Sequence, residues 1–216
     1  MLIDLKLDGK TIIVVGGGSE GYRKTLSFVD SGAKIWVISK SFSSSIQKMG
    51  EEKKVALLKT EIQDAKSFVD SLNPKPDILL AVTDEAKLNL ELVNAAKSVG
   101  CMVYSVDNPA LSDFILPAVA KVGEVKIAIS TSGKSPAMAK LLRERIEQMI
   151  TPEDLLEIQL QSHLRTILKG QVPDAKVRSK ILNEILNNDN IKQVLKEGKL
   201  CEAQEIAMKL LHEKEA

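Results

Sequence analysis

Short aliphatic runs alternating with stretches of helical spacing fill the first half of the chain. Thr11 to Val15 is a β-branched apolar run of strand length, and Gly16-Gly17-Gly18-Ser19-Glu20-Gly21 follows it directly. Residues 22–31 then carry Leu26 and Val29 at helical spacing until Gly32 stops them. Lys34 to Ser39 is a second strand, so residues 11–39 have the length and order of one βαβ unit, whose right-handed crossover makes its strands parallel neighbours. The alternation continues with a strand at residues 55–59, a helix at 64–72, a Pro-rich turn, and the apolar strand 78–82. A helix over 85–99, closed by Gly100, leads to a strand at 102–106 that delivers Asp107 at its carboxyl end.

Beyond Asp107 the period changes. Residues 114–120 and 125–130 read as two strands around a turn at Gly123 with no helix between them, hence a hairpin, in which Pro117 marks an edge or bulged strand. A helix follows at 137–150. From Pro152 onward Leu, Ile, Glu, Lys and Gln recur at helical spacing, with breaks at 170–173 and near Gly198, giving a module of about four helices. The predicted class is α/β: a Rossmann-like parallel sheet over residues 1–110, a strand-helix segment over 111–150 and a small helical domain over 151–216.

Composition narrows the function. The 216 residues are 44% hydrophobic and 27% charged, a globular mix that argues against disorder. Only 3% are aromatic, and 30 basic residues face 29 acidic ones, so neither a stacking surface nor a global field suits nucleic acid or an anionic membrane. No apolar run approaches the ~20 residues of a membrane helix, and the charged N-terminal stretch is unlike a signal peptide, so a cytoplasmic protein is expected. Cys101 and Cys201 have no CxxC or Cys/His spacing and read as reduced thiols, and neither His163 nor His212 has a ligand partner nearby in sequence, so no metal site is expected.

Three places carry candidate chemistry. Gly16, Gly18 and Gly21 form G-x-G-x-x-G between a strand and a helix, the arrangement that lets a dinucleotide pyrophosphate approach backbone amides. The carboxylate that usually holds the adenosine ribose about 20 residues on is missing, and Ser39 and Lys40 stand there instead. Lys40 suits the 2′-phosphate of NADP and Ser39 a free ribose, so the residues alone leave both cofactors open. Asp107 lies where ligands of open α/β sheets bind and could act as a base; an Asx turn before Asn108-Pro109 is the alternative. Finally, Ser130-Thr131-Ser132-Gly133-Lys134-Ser135-Pro136 joins a strand to a helix bearing Lys140, Arg143 and Arg145. Ser135 and Pro136 make a sound helix start, and the same hydroxyls, amides and Lys134 suit a carboxylate or phosphate; the Walker A spacing is absent.

Val14-Val15-Gly16-Gly17-Gly18 with Arg23-Lys24, Ala81-Val82-Thr83-Asp84 with Asn89, Val106-Asp107, Phe114-Ile115-Leu116-Pro117, and Ser130 to Pro136 with Ala139, Leu142 and Arg143 occur in that order over residues 1 to about 150. Together they resemble the precorrin-2 dehydrogenases of sirohaem biosynthesis, which include the N-terminal module of sirohaem synthase and a bifunctional dehydrogenase-ferrochelatase. The resemblance implies oxidation of precorrin-2 to sirohydrochlorin with NAD as hydride acceptor, NADP remaining open. It further implies a homodimer interlocked through residues 111–150. Asp107 falls on the family's catalytic aspartate, and Gly16, Gly18, Gly21, Thr83 and Asp84 fall on the cofactor side, joined by Ser39 and Lys40. Thr131, Ser132, Lys134, Ser135 and Arg143 become substrate-side residues for a polycarboxylate. The length leaves no room for a methyltransferase domain, so precorrin-2 is expected from another enzyme, and whether iron is also inserted stays open. A nucleotide-sensing module without catalysis is the other class to weigh.

Overall fold

Five strands, β1 (Thr11–Val15), β2 (Lys34–Ser39), β3 (Ala56–Lys59), β4 (Ile78–Ala81) and β5 (Met102–Ser105), make one parallel sheet in the order β3-β2-β1-β4-β5. The computed structural model describes residues 2–215, with side chains as far as Leu211. It divides into two compact units, Met1–Leu116 and Pro117–Ala216.

The sheet of the first unit is aliphatic on both faces because helices cover both. Ile12, Val14, Ile35, Val37, Ile78 and Leu80 point to one side and pack with Phe28 and with Ile46 and Met49 of α2 (Ser44–Glu51). Ile13, Val15, Leu79 and Val103 point to the other, against Ala65 and Val69 of α3 (Ala65–Ser71) and Leu92, Val93 and Ala96 of α4 (Ala86–Ser98). Each such side chain withdrawn from water contributes about 1.5–3 kcal/mol before entropy is counted, which makes this two-sided core the fixed frame of the site. Cys101 belongs to it, and burial pushes its thiol up to about 12.

Two elements depart from the sequence pattern. The helix expected over 22–31 starts earlier and ends earlier, as α1 (Ser19–Thr25). Thr25 Oγ1 donates to the Gly21 carbonyl and Ser31 Oγ to that of Phe28, and beyond Leu26 the chain continues as i→i+3 turns. The helix α2 was hidden by the serine run 43–45, although Ile46 and Met49 sit at helical spacing and are buried.

In the second unit, β6 (Ala118–Val122) and β7 (Val125–Ile129) pair antiparallel around Gly123, which holds φ +55°. The first of these strands begins after Pro117, which has no N–H to donate, while Phe114 and Leu116 pack into the core of the first unit instead. Next come α5 (Pro136–Met149), α6 (Pro152–Gln171), α7 (Ala175–Leu186), α8 (Asp189–Lys196) and α9 (Leu200–Glu215). The last four share a core of Leu160, Leu164, Leu168, Ile185, Ile191, Leu195, Ala203 and Ala207. The starts of α6, α7 and α8 are capped by Thr151, Asp174 and Asn188, as helix ends require. His163 is exposed, and the side chain of His212 lies outside the described residues.

Candidate functional site

The strand order reverses between β1 and β4, and the carboxyl ends of these strands open into a cleft of about 870 Å³, a volume suited to a small organic ligand. Its floor is the glycine turn. Gly16 has φ +134°, and a Cβ there would strike the Val82 carbonyl group. A Cβ on Gly21 would strike the Gly16 carbonyl oxygen, so these two glycines let α1 close onto the turn. Gly17, outside the expected G-x-G-x-x-G positions, is equally tight: its Cβ would lie 2.9 Å from the Ser39 side chain and nearer still to the Ser41 carbonyl oxygen. Gly18 is the exception, with nothing within 4 Å of its Cβ position. That open ground, at the N-cap of α1 where no side chain caps the helix, is where a phosphate can meet backbone amides.

On the opposite wall Thr83 follows β4, and Asp107 follows β5. Asn89, on α4 and fully buried, joins them: its Oδ1 accepts from the Thr83 amide (3.0 Å) and Thr83 Oγ1 (2.7 Å), and its Nδ2 donates to the Thr83 carbonyl (3.0 Å). The remaining Nδ2 hydrogen goes to the Asp107 carboxylate. The Asx-type bond in this loop is made by Asn108, whose Oδ1 accepts from the Ala110 amide at 3.2 Å, leaving the Asp107 carboxylate turned to the cleft it lines.

Charge in the cleft is lopsided. Glu20, Glu61, Asp84, Glu85, Glu91 and Asp107 line it against Lys40 and Lys87 only. Lys40, beyond the end of β2, is taken by Glu85 from the start of α4, with Nζ 3.1 Å from Oε1, and this bond holds the lysine above its ordinary pKa. Glu20 sits in the first turn of α1, beside the glycines, and hydrogen bonds from Arg23 (2.9 and 2.6 Å) keep its carboxyl below the usual range. Lys24, only 7% exposed, adds a cation 3.6 Å from Glu20 and 4.4 Å from the Tyr104 ring centre. These cations offset a carboxylate that would otherwise repel a phosphate.

The residues fit a dinucleotide. Ser43 Oγ, on the cleft wall beside the glycine turn, is buried without any hydrogen-bond partner among the described residues, a cost of about 1–3 kcal/mol that a ligand oxygen would relieve. Its amide already holds the Gly17 carbonyl at 2.8 Å. Of the positions singled out in sequence, Gly16, Gly18, Ser39, Lys40, Thr83, Asp84 and Asp107 all line this cleft, and Gly21 supports it from below. Ser43, Gly17, Glu85 and the bonding of Asn89 were not singled out. Only the burial of Ile46 and Met49 behind Ser43, at helical spacing, could have pointed to the first of them.

In the second unit, the loop before α5 closes on itself. Thr131 Oγ1 accepts from the Ser135 amide (3.2 Å), Ser132 and Gly133 hold φ +51° and +77°, and Ser135 Oγ caps α5 by accepting from the Met138 amide (3.2 Å). Lys134 is exposed, and Arg143 is bound within its own helix by Glu147 (3.0 Å) and Glu144 (3.4 Å).

A doubly wound parallel sheet, a glycine turn with open ground at a helix start, and an orphan hydroxyl beside it define a dinucleotide-binding α/β protein. A family model described as putative NAD(P)-binding matches residues 3–118, and one described as sirohaem biosynthesis protein central matches residues 122–149. The chain is 34% identical over 188 residues to a precorrin-2 dehydrogenase of Methanosarcina barkeri, covering 87% of this chain and 83% of that one. It is 34% identical over 195 residues to a putative precorrin-2 dehydrogenase of Methanocaldococcus jannaschii, covering 89% and 92%. Siroheme synthase 1 of Aeromonas salmonicida aligns at 28% identity over 96% of this chain but only 43% of its own length. The solved structure of SirC, precorrin-2 dehydrogenase, superposes with a TM-score of 0.75 at 21% identity, over 97% of this chain and 99% of that one, so the fold is shared. The chain belongs to the precorrin-2 dehydrogenase family.

Proposed function

We propose that the protein oxidises precorrin-2 to sirohydrochlorin with NAD as hydride acceptor, in the cytoplasm and as a homodimer. The observation that carries the reading is the Asp107 carboxylate, lining the same cleft as the glycine turn and held by a buried amide. The reaction removes one hydride and one proton from the macrocycle. Bound NAD supplies the hydride acceptor. The proton goes to Asp107, whose carboxylate is at the cleft wall. Gly16, Gly18, Gly21, Thr83 and Asp84 serve the cofactor, with Ser43 added to them. Ser39 faces the ribose.

The preference for NAD over NADP is supported by the surplus of carboxylates in the cleft and by the Glu85 carboxylate that occupies Lys40. A 2′-phosphate brought there would have to displace Glu85 and enter an anionic field. For the substrate, Thr131, Ser132, Lys134, Ser135 and Arg143 form an anion-binding group for the tetrapyrrole's carboxylates, Arg143 exchanging its Glu147 partner for one of them. The domain plan of nucleotide domain (1–110), dimerisation segment (111–150) and helical cap (151–216) belongs to the same reading. Dimerisation is supported by a two-stranded β6–β7 sheet, marginal when left alone, and by Val119, Met138, Leu141 and Met149, all exposed. No described helix is long and apolar enough to cross a membrane, and the free Cys101 and Cys201 suit a reducing compartment. The test is anaerobic turnover of freshly made precorrin-2 with NAD, followed by absorbance, in the wild type and in Asp107→Asn.

A further inference from the structure

Asn89 is not explained by the cofactor or by the core. It is 0% exposed, yet it lies on the inner side of α4 among aliphatic neighbours, where Leu or Ala would pack without needing partners. A side-chain amide has two acceptor positions and two donor hydrogens, and here all four are used. Three bonds fasten Thr83, at the end of β4. The fourth crosses to the Asp107 carboxylate, at the end of β5 and 18 residues along the chain. One rigid amide therefore fixes the distance between the cofactor side of the cleft and the candidate base.

We infer that Asn89 is a positioning residue for the reaction: it locks one oxygen of Asp107 by hydrogen bonding and so aims the other at the substrate, in register with the Thr83 loop. The inference rests on the assignment of Asp107 as the proton acceptor. Asn89→Asp breaks the link to Asp107, together with the bond to the Thr83 carbonyl, and leaves the other two Thr83 bonds in place. It has the same shape and keeps both acceptor bonds from Thr83, while it loses the donors and sets a second carboxylate against Asp107.

The experiment is a cycle of wild type, Asn89→Asp, Asp107→Asn and the exchanged pair Asn89→Asp/Asp107→Asn, in which an amide at 107 can donate to a carboxylate at 89. Melting temperature, NAD affinity and precorrin-2 turnover are read for each. Asn89→Asp is expected to lower kcat at least about tenfold with the KM for NAD changed less than about threefold, and to lower the melting temperature by about 5 °C. The exchanged pair is expected to recover at least about half of that temperature loss without recovering turnover, because the bond returns with its polarity reversed and no carboxylate stands at 107. Unchanged kcat in a folded Asn89→Asp protein overturns the inference. So does an exchanged pair no more stable than Asn89→Asp alone, since the two side chains are then uncoupled. If wild type fails to turn over precorrin-2, the proposed reaction falls, and the melting cycle still decides whether the clamp exists.

Discussion

Glu85 shows how a residue far along the chain changes the meaning of one that sequence reading had singled out. Lys40 stands where a ribose-binding carboxylate is customary, and taken alone it invites a 2′-phosphate. Its ammonium is instead bonded to Glu85, 45 residues away, a pairing that needs the fold to bring the end of β2 opposite the start of α4. Replacing Glu85 by Gln frees Lys40 and removes one negative charge from the cleft. The expected result is an NADP dissociation constant about fivefold lower, with NAD changed by less than about twofold, measured by fluorescence titration at low ionic strength. An unchanged NADP affinity removes Glu85 from the account of cofactor choice. Asp107 was legible because its place at a strand end follows from local pattern. Asn89 and Ser43 were not, because their meaning lies in partners, or the lack of one, on other elements.

At the scale of elements, the strands were the most readable part. Runs such as Thr11–Val15 and Ile78–Ala81 are buried on both faces, so their apolar character is continuous and unmistakable. Helix limits were less so. The helix α1 stops early where Thr25 and Ser31 bond back to carbonyls, and α2 starts inside a polar run. The four helices after Pro152 were legible as a group, yet the break at Asn187-Asn188 needed the Asn188 cap on α8 to be seen. Among their starts, α6 has a full capping box: Asp154 accepts from the Thr151 amide (2.7 Å) and Thr151 Oγ1 accepts from the Asp154 amide (3.2 Å). Thr151→Ala is expected to cost about 1 kcal/mol in urea unfolding at neutral pH. The bonds from Thr151 hold the Asp154 carboxyl below its ordinary value. A lowered folded-state pKa gives stability that is present above the unfolded value of about 4 and is lost as pH falls through the folded one. The variant keeps the amide bond but loses the Thr151 hydroxyl's bond to Asp154 (2.8 Å), so the gap between wild type and variant should narrow below about pH 4; a gap that stays constant there means that the hydroxyl bond to the carboxylate contributes nothing.

For the whole molecule, near-neutral charge conceals a division of labour. A net charge of +1 over 216 residues gives no long-range attraction, while the cleft itself is acidic and the candidate substrate loop in the second unit carries Lys134. A polycarboxylate would then be gripped by a few local cations rather than by the field of the whole chain. The exposed apolar residues of the β6–β7 and α5 segment give the oligomeric prediction: sedimentation equilibrium should find twice the chain mass, and Val119→Lys/Met138→Lys should shift it toward the single chain. A wild type that sediments as a single chain at micromolar concentration contradicts the dimer.

One assay decides whether the chain oxidises precorrin-2 through Asp107: anaerobic conversion of precorrin-2, with NAD reduction and sirohydrochlorin appearance followed together by absorbance, in wild type and Asp107→Asn. Wild type is expected to give equimolar NADH and sirohydrochlorin, and Asp107→Asn to lose at least about a hundredfold in kcat while NAD binding stays within about twofold. Tight NAD binding by the wild type without any conversion of precorrin-2, or full turnover by Asp107→Asn, would contradict this expectation.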